Sequence, residues 1–499
     1  MSSRPPPDNS ARRTSFQSVQ GNHYDVAILG AGITGARIFH ELSLRGYRVL
    51  LIDRADFASG TSQASGMMIW GGLLYLKDLD LRTVLGFCRA RDSLIEQLPG
   101  KIRPQGLRYL PASESLRNLH LVRSGLLLYW LLGSLKRRFP KSETDFPERG
   151  LLRPGRFRGS LAFEEAVLTT SDCRFALDWI LSAIHPEASA LNHCAVHPGF
   201  DVISRKWHLE LTDLLDGRET TATAATVINA AGVWVDPLNR ELGIDSPYRH
   251  ELSKGVYFSI RRPENLHRIL VFDTGANGDT FTLVPWGPVA LCGPTETRVS
   301  HTGEGFSVTP DDIRQLLDLS RRNLKTNHRP EDIVSLRCGV RPLAVKRSFS
   351  KTVHPLSLSR NHRIHHDHRR RAIAVYGGKL TSAGRMATEV RSLLPPPTLP
   401  PPDLPTLPPP ETVTFPGIDA PIPSPEWCRD HEHCLTLEDY LRRRTNIAQW
   451  IPRGGLGTDS ENLAVLARIA AAFSPDPGHT LAAYIATIRQ RHDSVLAAI

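Results

Sequence analysis

The run from Tyr24 to Asp53, YDVAILGAGITGARIFHELSLRGYRVLLID, constrains this chain more than any other stretch. An apolar, β-branched segment leads straight into Gly30, Gly32 and Gly35, and a helical pattern opens on them. Each glycine answers a different demand. Gly30 permits a tight turn, Gly32 lets the backbone approach a pyrophosphate, and Gly35 lets helix pack on strand. The helix start then offers unpaired N–H groups and a positive dipole end to phosphate. Asp53 closes the next apolar strand about 20 residues on, where a carboxylate accepts from ribose hydroxyls. A lone GxGxxG also occurs as a plain glycine turn. With strand before, helix after and an acid at this spacing, it predicts a Rossmann-type dinucleotide-binding unit.

The rest of the chain must hold the reacting partner. Its 499 residues allow two or three domains. A hydrophobic content of 40% with 22% charged residues fits a globular enzyme. The net charge of +10 favours anionic ligands or anionic lipid. Basic runs are not interleaved with aromatics, so no nucleic-acid partner is expected. Seven scattered cysteines without a CxxC pair predict a reduced, cytoplasmic location and no metal centre, with Cys173 and Cys338 left open as site residues. The histidine-rich NHRIHHDHRRR around 361–371 reads as an exposed basic hairpin tip, with metal binding the weaker alternative. The run GLLLYWLLG at 125–133 is far short of the ~20 residues of a bilayer span. With Arg117 and Arg123 before it and Lys136, Arg137 and Arg138 after, it reads either as a buried cap helix or as a helix resting on anionic lipid.

Along the chain, residues 1–22 are expected to form a disordered arm. Arg12-Arg13 hints at an export signal, but no apolar region follows before the cofactor strand. Helical and polar stretches fill 91–155, GVYFSI at 255–260 and TFTLVPW at 280–286 alternate like antiparallel strands, and a helix is expected at 310–325. The proline-dense 395–425 reads as a stiff linker that few contacts cross, so removal of 425–499 is expected to leave a folded core. The fold class expected is α/β. A Rossmann-type domain (23–90, 155–240, 330–394) is interrupted by an antiparallel-sheet substrate or cap domain (91–154, 241–329). A helical C-terminal domain (426–499) follows.

The small, hydroxylated DFASGTSQASG at 56–66 suits a backbone wrapped round a pyrophosphate and a flavin edge. With GGLLYLK at 71–77, SDCR at 171–174, VINAAGVWVD at 227–236, SKG at 253–255, LVPWG at 283–287, GPTET at 293–297, CGVRPL at 338–343, GGKLTS at 377–382 and TLEDYLRRRT at 436–445, the chain resembles the FAD-dependent glycerol-3-phosphate dehydrogenases, among the D-amino-acid-oxidase-like flavoproteins. The resemblance implies an FAD oxidoreductase that moves hydride from a small anionic substrate to flavin N5 and on to quinone or oxygen. It implies that Gly30, Gly32, Gly35, Asp53, Ser59, Thr61, Ser62, Ala230, Gly232, Gly378, Lys379, Leu380 and Thr381 hold FAD. Arg341, Lys379 and Thr381 would face substrate, and Tyr257 reads as an acid/base group or a cross-strand packing residue.

Several positions depart from the family pattern. Leu74 stands where an arginine binds the substrate phosphate, Trp70 and Tyr257 where histidines are usual, Met68 for a lysine and Asp279 for an arginine. An apolar Leu74 cannot supply charge-assisted bonds to phosphate. A rebuilt phosphate site, a different hydroxy- or amino-acid or tailored-metabolite substrate, and a non-catalytic flavin subunit all remain open at this point.

Overall fold

The computed structural model describes residues 15–499 except 113–118, 158, 274–279, 301–305, 350–353, 356–357 and 405–406; Arg117 and Asp279 therefore lie outside the described residues. Short apolar runs without polar alternation fold as strands covered on both faces. His23–Leu29 lies between Val49–Ile52 and Glu219–Asn229, parallel to both. Ala188–Leu191 and Ala372–Tyr376 extend the sheet at its two sides, also in parallel. Helix Ile33–Ser43 buries Ala36, Ile38, Phe39 and Leu42 against Val26, Ile28, Val49 and Leu51. Each large apolar side chain so buried contributes about 1.5–3 kcal/mol.

Another core cluster unites Tyr24, Ala27, Leu29, Leu50 and Ile52 with Phe16 and Val19. The arm expected to be disordered over 1–22 thus differs at 15–22: a helical turn at 15–18 tucks two apolar side chains onto the sheet. Residues 1–14 lie outside the described part.

The second sheet has ten strands and is antiparallel except where Ile269–Asp273 runs parallel to Ile102–Leu110. Thr280–Trp286 and helix Pro310–Asn323 form where periodicity predicts them, the helix closed by a capping box between Thr309 and Asp312. Three segments differ from expectation. Ile102–Leu110 is a strand inside the stretch expected to be helical and polar. Ser160–Leu168 and Ile333–Lys346, expected in the dinucleotide domain, join this sheet instead. Ile333–Lys346 pairs along nearly its whole length with Tyr248–Arg261, and that pairing decides its sheet.

Helix Leu119–Leu132 buries only Leu126 and Tyr129, while Leu121 (72%) and Leu131 (58%) stand exposed beside Leu128. The buried-cap-helix expectation therefore fails for this element. Among the described residues no helix is long and apolar enough to cross a membrane. The histidine-rich segment forms the hairpin Arg363–Asp367/Ala372–Tyr376, with Arg369, Arg370 and Arg371 in its turn.

The expected linker also differs. Tyr47 Oη donates to the Pro395 carbonyl and Leu399 N to the Gly46 carbonyl, so its first residues lie against the dinucleotide domain. Thr412–Phe415 and Ile418–Pro423 form a hairpin whose Phe415, Ile418 and Ile422 join the C-terminal core. That unit docks through the buried ion pair Arg444–Asp56 at 2.6 Å and the half-buried pairs Arg174–Glu432 at 2.6 Å and His193–Asp439 at 3.0 Å. Trp450 packs edge-on against Trp286 at 5.6 Å. Many contacts cross the proline-rich stretch, contrary to the expectation from composition.

Candidate active site

Both sheets border one cavity of about 1630 Å³. Small-molecule pockets are usually about 300–1,000 Å³, so this one has room for a dinucleotide and a substrate together. Of the residues given to FAD or substrate in the sequence, all but Gly35 line it, whereas Cys173 and Cys338, left open there as site residues, do not. Gly35 sits behind the turn, where a Cβ would lie inside the Gly30 carbonyl oxygen, which is the helix-on-strand packing expected of it.

Gly30 takes φ +104, and a Cβ there would meet the Ala230 and Ala231 backbone at 2.7–2.9 Å. Gly32 caps helix Ile33–Ser43 with no side-chain cap. Gly232, at φ +57, has nothing within 4 Å of where its Cβ would stand. A side chain at either position would intrude on a cleft whose floor is otherwise backbone. Ser62 Oγ accepts from Ile33 N at 2.9 Å, and Thr61 Oγ1 donates to the Val340 carbonyl at 2.6 Å. Asp53 accepts from Ala31 N at 2.7 Å and Ala55 N at 2.9 Å, while burial pushes its carboxyl up to about 6. The glycine floor, the uncapped helix start and the carboxylate fit an adenine dinucleotide.

At the other end, Arg341 comes from strand Ile333–Lys346, Tyr257 from Tyr248–Arg261, and Lys379 and Thr381 from the turn after Ala372–Tyr376. Arg341 Nη1 and Arg360 Nη2 both approach Glu296 Oε2, at 3.1 and 3.2 Å. Arg341 Nη1 is buried and has no acceptor in hydrogen-bonding geometry. Burial, and then the neighbouring Arg341, disfavours the charge on Arg360. Lys379 Nζ stands 4.3 Å from the Tyr75 ring centroid and 4.8 Å from that of Phe87. Burial, reinforced by Arg360, brings its ammonium down to about 7. Two guanidiniums, a half-protonated amine and one carboxylate thus face this part of the cavity. Such an arrangement accepts an anion.

Burial raises the Tyr257 hydroxyl above its usual value, so at neutral pH it is a phenol that donates rather than a base. Thr381 Oγ1 donates to the Trp70 carbonyl at 3.1 Å. The adjoining Gly71 N donates to Glu165 Oε2 at 3.0 Å, inside a buried knot with Arg91 and Tyr129. Met68, Trp70 and Leu74 line the cavity, Leu74 being 51% exposed. Arg360 and Glu296 are site residues that sequence reasoning missed. Glu296 lies in GPTET, one of the quoted motifs; Arg360 carries no local signal.

The DAO family, FAD dependent oxidoreductase, matches residues 25–386. The aerobic glycerol-3-phosphate dehydrogenase of Staphylococcus haemolyticus is 29% identical over 390 residues, 77% of this chain and 69% of that protein. That of Escherichia coli is 28% identical over 388 residues, 74% and 73% of the two chains. The fold also matches the FAD complex of glycerol-3-phosphate dehydrogenase from Bacillus halodurans, with TM-score 0.60 and 21% identity over 98% of this chain and 84% of the other. A glycine oxidase from Geobacillus kaustophilus aligns with TM-score 0.54 and 19% identity over 75% and 95%.

Proposed function

The chain belongs to the DAO family of FAD-dependent oxidoreductases, with the character of its glycerol-3-phosphate dehydrogenases, and from that premise we propose that it oxidises the CH–OH carbon of a small anionic substrate, glycerol 3-phosphate first among them. One observation carries this reading: Arg341, Arg360 and Lys379 face the cavity against a single carboxylate, Glu296. FAD, when bound, would supply the hydride acceptor, with quinone or oxygen as the proposed final oxidant.

The chain's own residues bind, orient and move a proton. The turn Gly30–Gly32, braced by Gly35, would hold the pyrophosphate with Ser59, Thr61 and Ser62, and Asp53 would take the ribose. Ala230, Gly232, Gly378, Leu380 and Thr381 close the cradle. Arg341 and Arg360 fix the anionic group, since guanidinium forks match phosphate or carboxylate geometry. Lys379, near its midpoint at neutral pH, takes the hydroxyl proton as its neutral amine. Tyr257 orients the substrate through its phenol.

Leu74, Met68 and Trp70 support a second reading, in which an apolar wall admits a different hydroxy- or amino-acid substrate. Steady-state turnover with an artificial acceptor, across glycerol 3-phosphate, small hydroxy acids and amino acids, separates the two. Arg341→Met is expected to cripple turnover of the native substrate, and Leu74→Arg to raise apparent affinity for glycerol 3-phosphate by about 10-fold if the second reading holds, position 74 being half exposed. Efficient wild-type turnover of glycerol 3-phosphate selects the first reading.

The outer face of helix Leu119–Leu132 supports contact with anionic lipid. Leu121, Leu128 and Leu131 are exposed there, with Leu135 and Phe139 just beyond. Arg123, Lys136 and Arg138 stand among them, and residues 119–140 contain no acid.

A further inference from the structure

The loop from Asp53 to Ser65 borders the cavity along most of its length. Three hydrogen bonds tie it to the glycine turn: Asp53 Oδ2 accepts from Ala31 N at 2.7 Å, Ala58 N donates to the Ala31 carbonyl at 3.0 Å, and Ser62 Oγ accepts from Ile33 N. Ala58 itself is left-handed, at φ 60. Such a conformation in a non-glycine residue persists only where its surroundings over-determine it.

Ala58 packs into the core of the dinucleotide domain, while the residues flanking this stretch, Asp56 and Gln63, are held from the far end of the chain. Asp56 is buried, and its Oδ2 accepts from Arg444 Nη1 at 2.6 Å and from Arg443 Nε. Its Oδ1 accepts from Arg444 Nη2 at 2.9 Å and Asn192 Nδ2 at 2.8 Å. Gln63 Oε1 accepts from Arg443 Nη1 at 3.2 Å and Arg442 Nε at 3.4 Å. The Gln63 carbonyl takes Arg442 Nη2 at 3.1 Å, while the Gln63 amide donates back to the Ser59 carbonyl. Three consecutive arginines, closing the π-helical turn Asp439–Arg444, therefore grip the loop at two points on either side of Ser59–Ser62. π-turns recur at functional positions despite their poorer hydrogen bonding.

We propose that Arg442, Arg443 and Arg444 are positioning residues for the dinucleotide. The C-terminal unit sets the shape of the 53–65 loop, and cofactor affinity and docking of that unit are coupled. Arg443 orders the loop from both anchors, Arg444 from Asp56 and Arg442 from Gln63. Coupling of this kind is reciprocal: whatever tightens FAD through the loop makes FAD tighten the docked arginines.

The test uses full-length holoenzyme. FAD release is followed by flavin fluorescence for wild type, Arg443→Gln, Arg442→Gln and Gln63→Ala, alongside thermal unfolding of each protein after flavin release. Loss of one charge-assisted bond at an anchor is expected to weaken FAD affinity by about 10- to 100-fold, more than it alters unfolding of the flavin-free protein. Unchanged FAD release in variants that unfold early assigns the arginines to stability alone and overturns the proposal. Should Arg443→Gln fail to fold, Gln63→Ala still decides, because it removes one side chain from the gripped loop and leaves the Asp56 pairs intact. Hydrogen exchange of wild type is the second measure: protection at 439–445 falls when FAD is removed if the coupling holds, and stays unchanged if it does not.

Discussion

Lys379→Met is expected to stabilise the flavin-free protein, and to do so only below the pH at which a free lysine titrates. Burial brings the Lys379 ammonium from 10.5 down to about 7. A depressed lysine means that between about pH 7 and 10.5 the unfolded chain holds a proton the folded chain has lost, so stability rises with pH across that window. Below about 7 both states are protonated and the folded state bears the full penalty. A fall from 10.5 to about 7, at about 1.36 kcal/mol for each tenfold change in proton affinity, sets a ceiling near 5 kcal/mol, and water in the cavity keeps the real figure under it. Methionine has similar length and no charge, and it keeps contact with Tyr75 and Phe87. Urea unfolding of both proteins at about pH 6.5, 8 and 9.5 reads the effect. The variant's advantage is expected to be largest at the lowest pH and to shrink by up to about 3 kcal/mol at the highest. A difference that does not vary with pH, or a variant less stable at about pH 6.5, would falsify the assignment of a buried, nearly neutral amine.

Gly32→Val is expected to yield colourless protein, because its Cβ, already 3.2 Å from Ser62 Oγ, would project into the cleft where the pyrophosphate is proposed to lie; retained flavin absorbance would put the cofactor elsewhere. Deletion of 425–499 is expected to give insoluble protein, since it strips the buried Asp56 of Arg443 and Arg444 and leaves its charge uncompensated at about 3–5 kcal/mol, and a soluble, folded remainder in size-exclusion chromatography would show those pairs to be dispensable. Leu128→Asp with Leu131→Asp is expected to release the protein from phosphatidylserine vesicles in a sedimentation assay; equal pelleting of variant and wild type would remove the helix from the lipid contact.

What was legible in the sequence follows the range over which each feature is determined. The turn at Gly30–Gly35 is settled by neighbours a few residues away, and so are the capping box at Thr309 and the alternation of Thr280–Trp286. Strand Ile102–Leu110 escaped because IRPQGLRYL carries proline, glycine and two arginines in a β-segment; only its pairing with Ser160–Leu168 explains why it is extended. The hairpin at 412–423 was written in TVTF-PG-IDAPIP, but it was hidden by the proline density around it. Nothing local could join Asp56 to Arg443 and Arg444, separated by 387 and 388 residues.

The same reasoning bears on how Leu74 should be read. An arginine missing from one loop looks, in sequence, like a missing anion anchor. An anchor, however, is a property of a volume, and any element bordering that volume can fill it. Arg360 reaches Glu296 Oε2 from a segment with no sequence pattern, beside Arg341, and both guanidiniums face the cavity that Leu74 also lines. Two cations sharing one carboxylate oxygen leave a net positive charge in partly desolvated surroundings, where Coulomb attraction is several-fold stronger than in water. An arginine at 74 would be half in solvent and weaker for it. On the proposed reading, the substitution at 74 changes where along the cavity an anion would be held more than whether one would be. Glycerol 3-phosphate remains the first substrate to try for that reason.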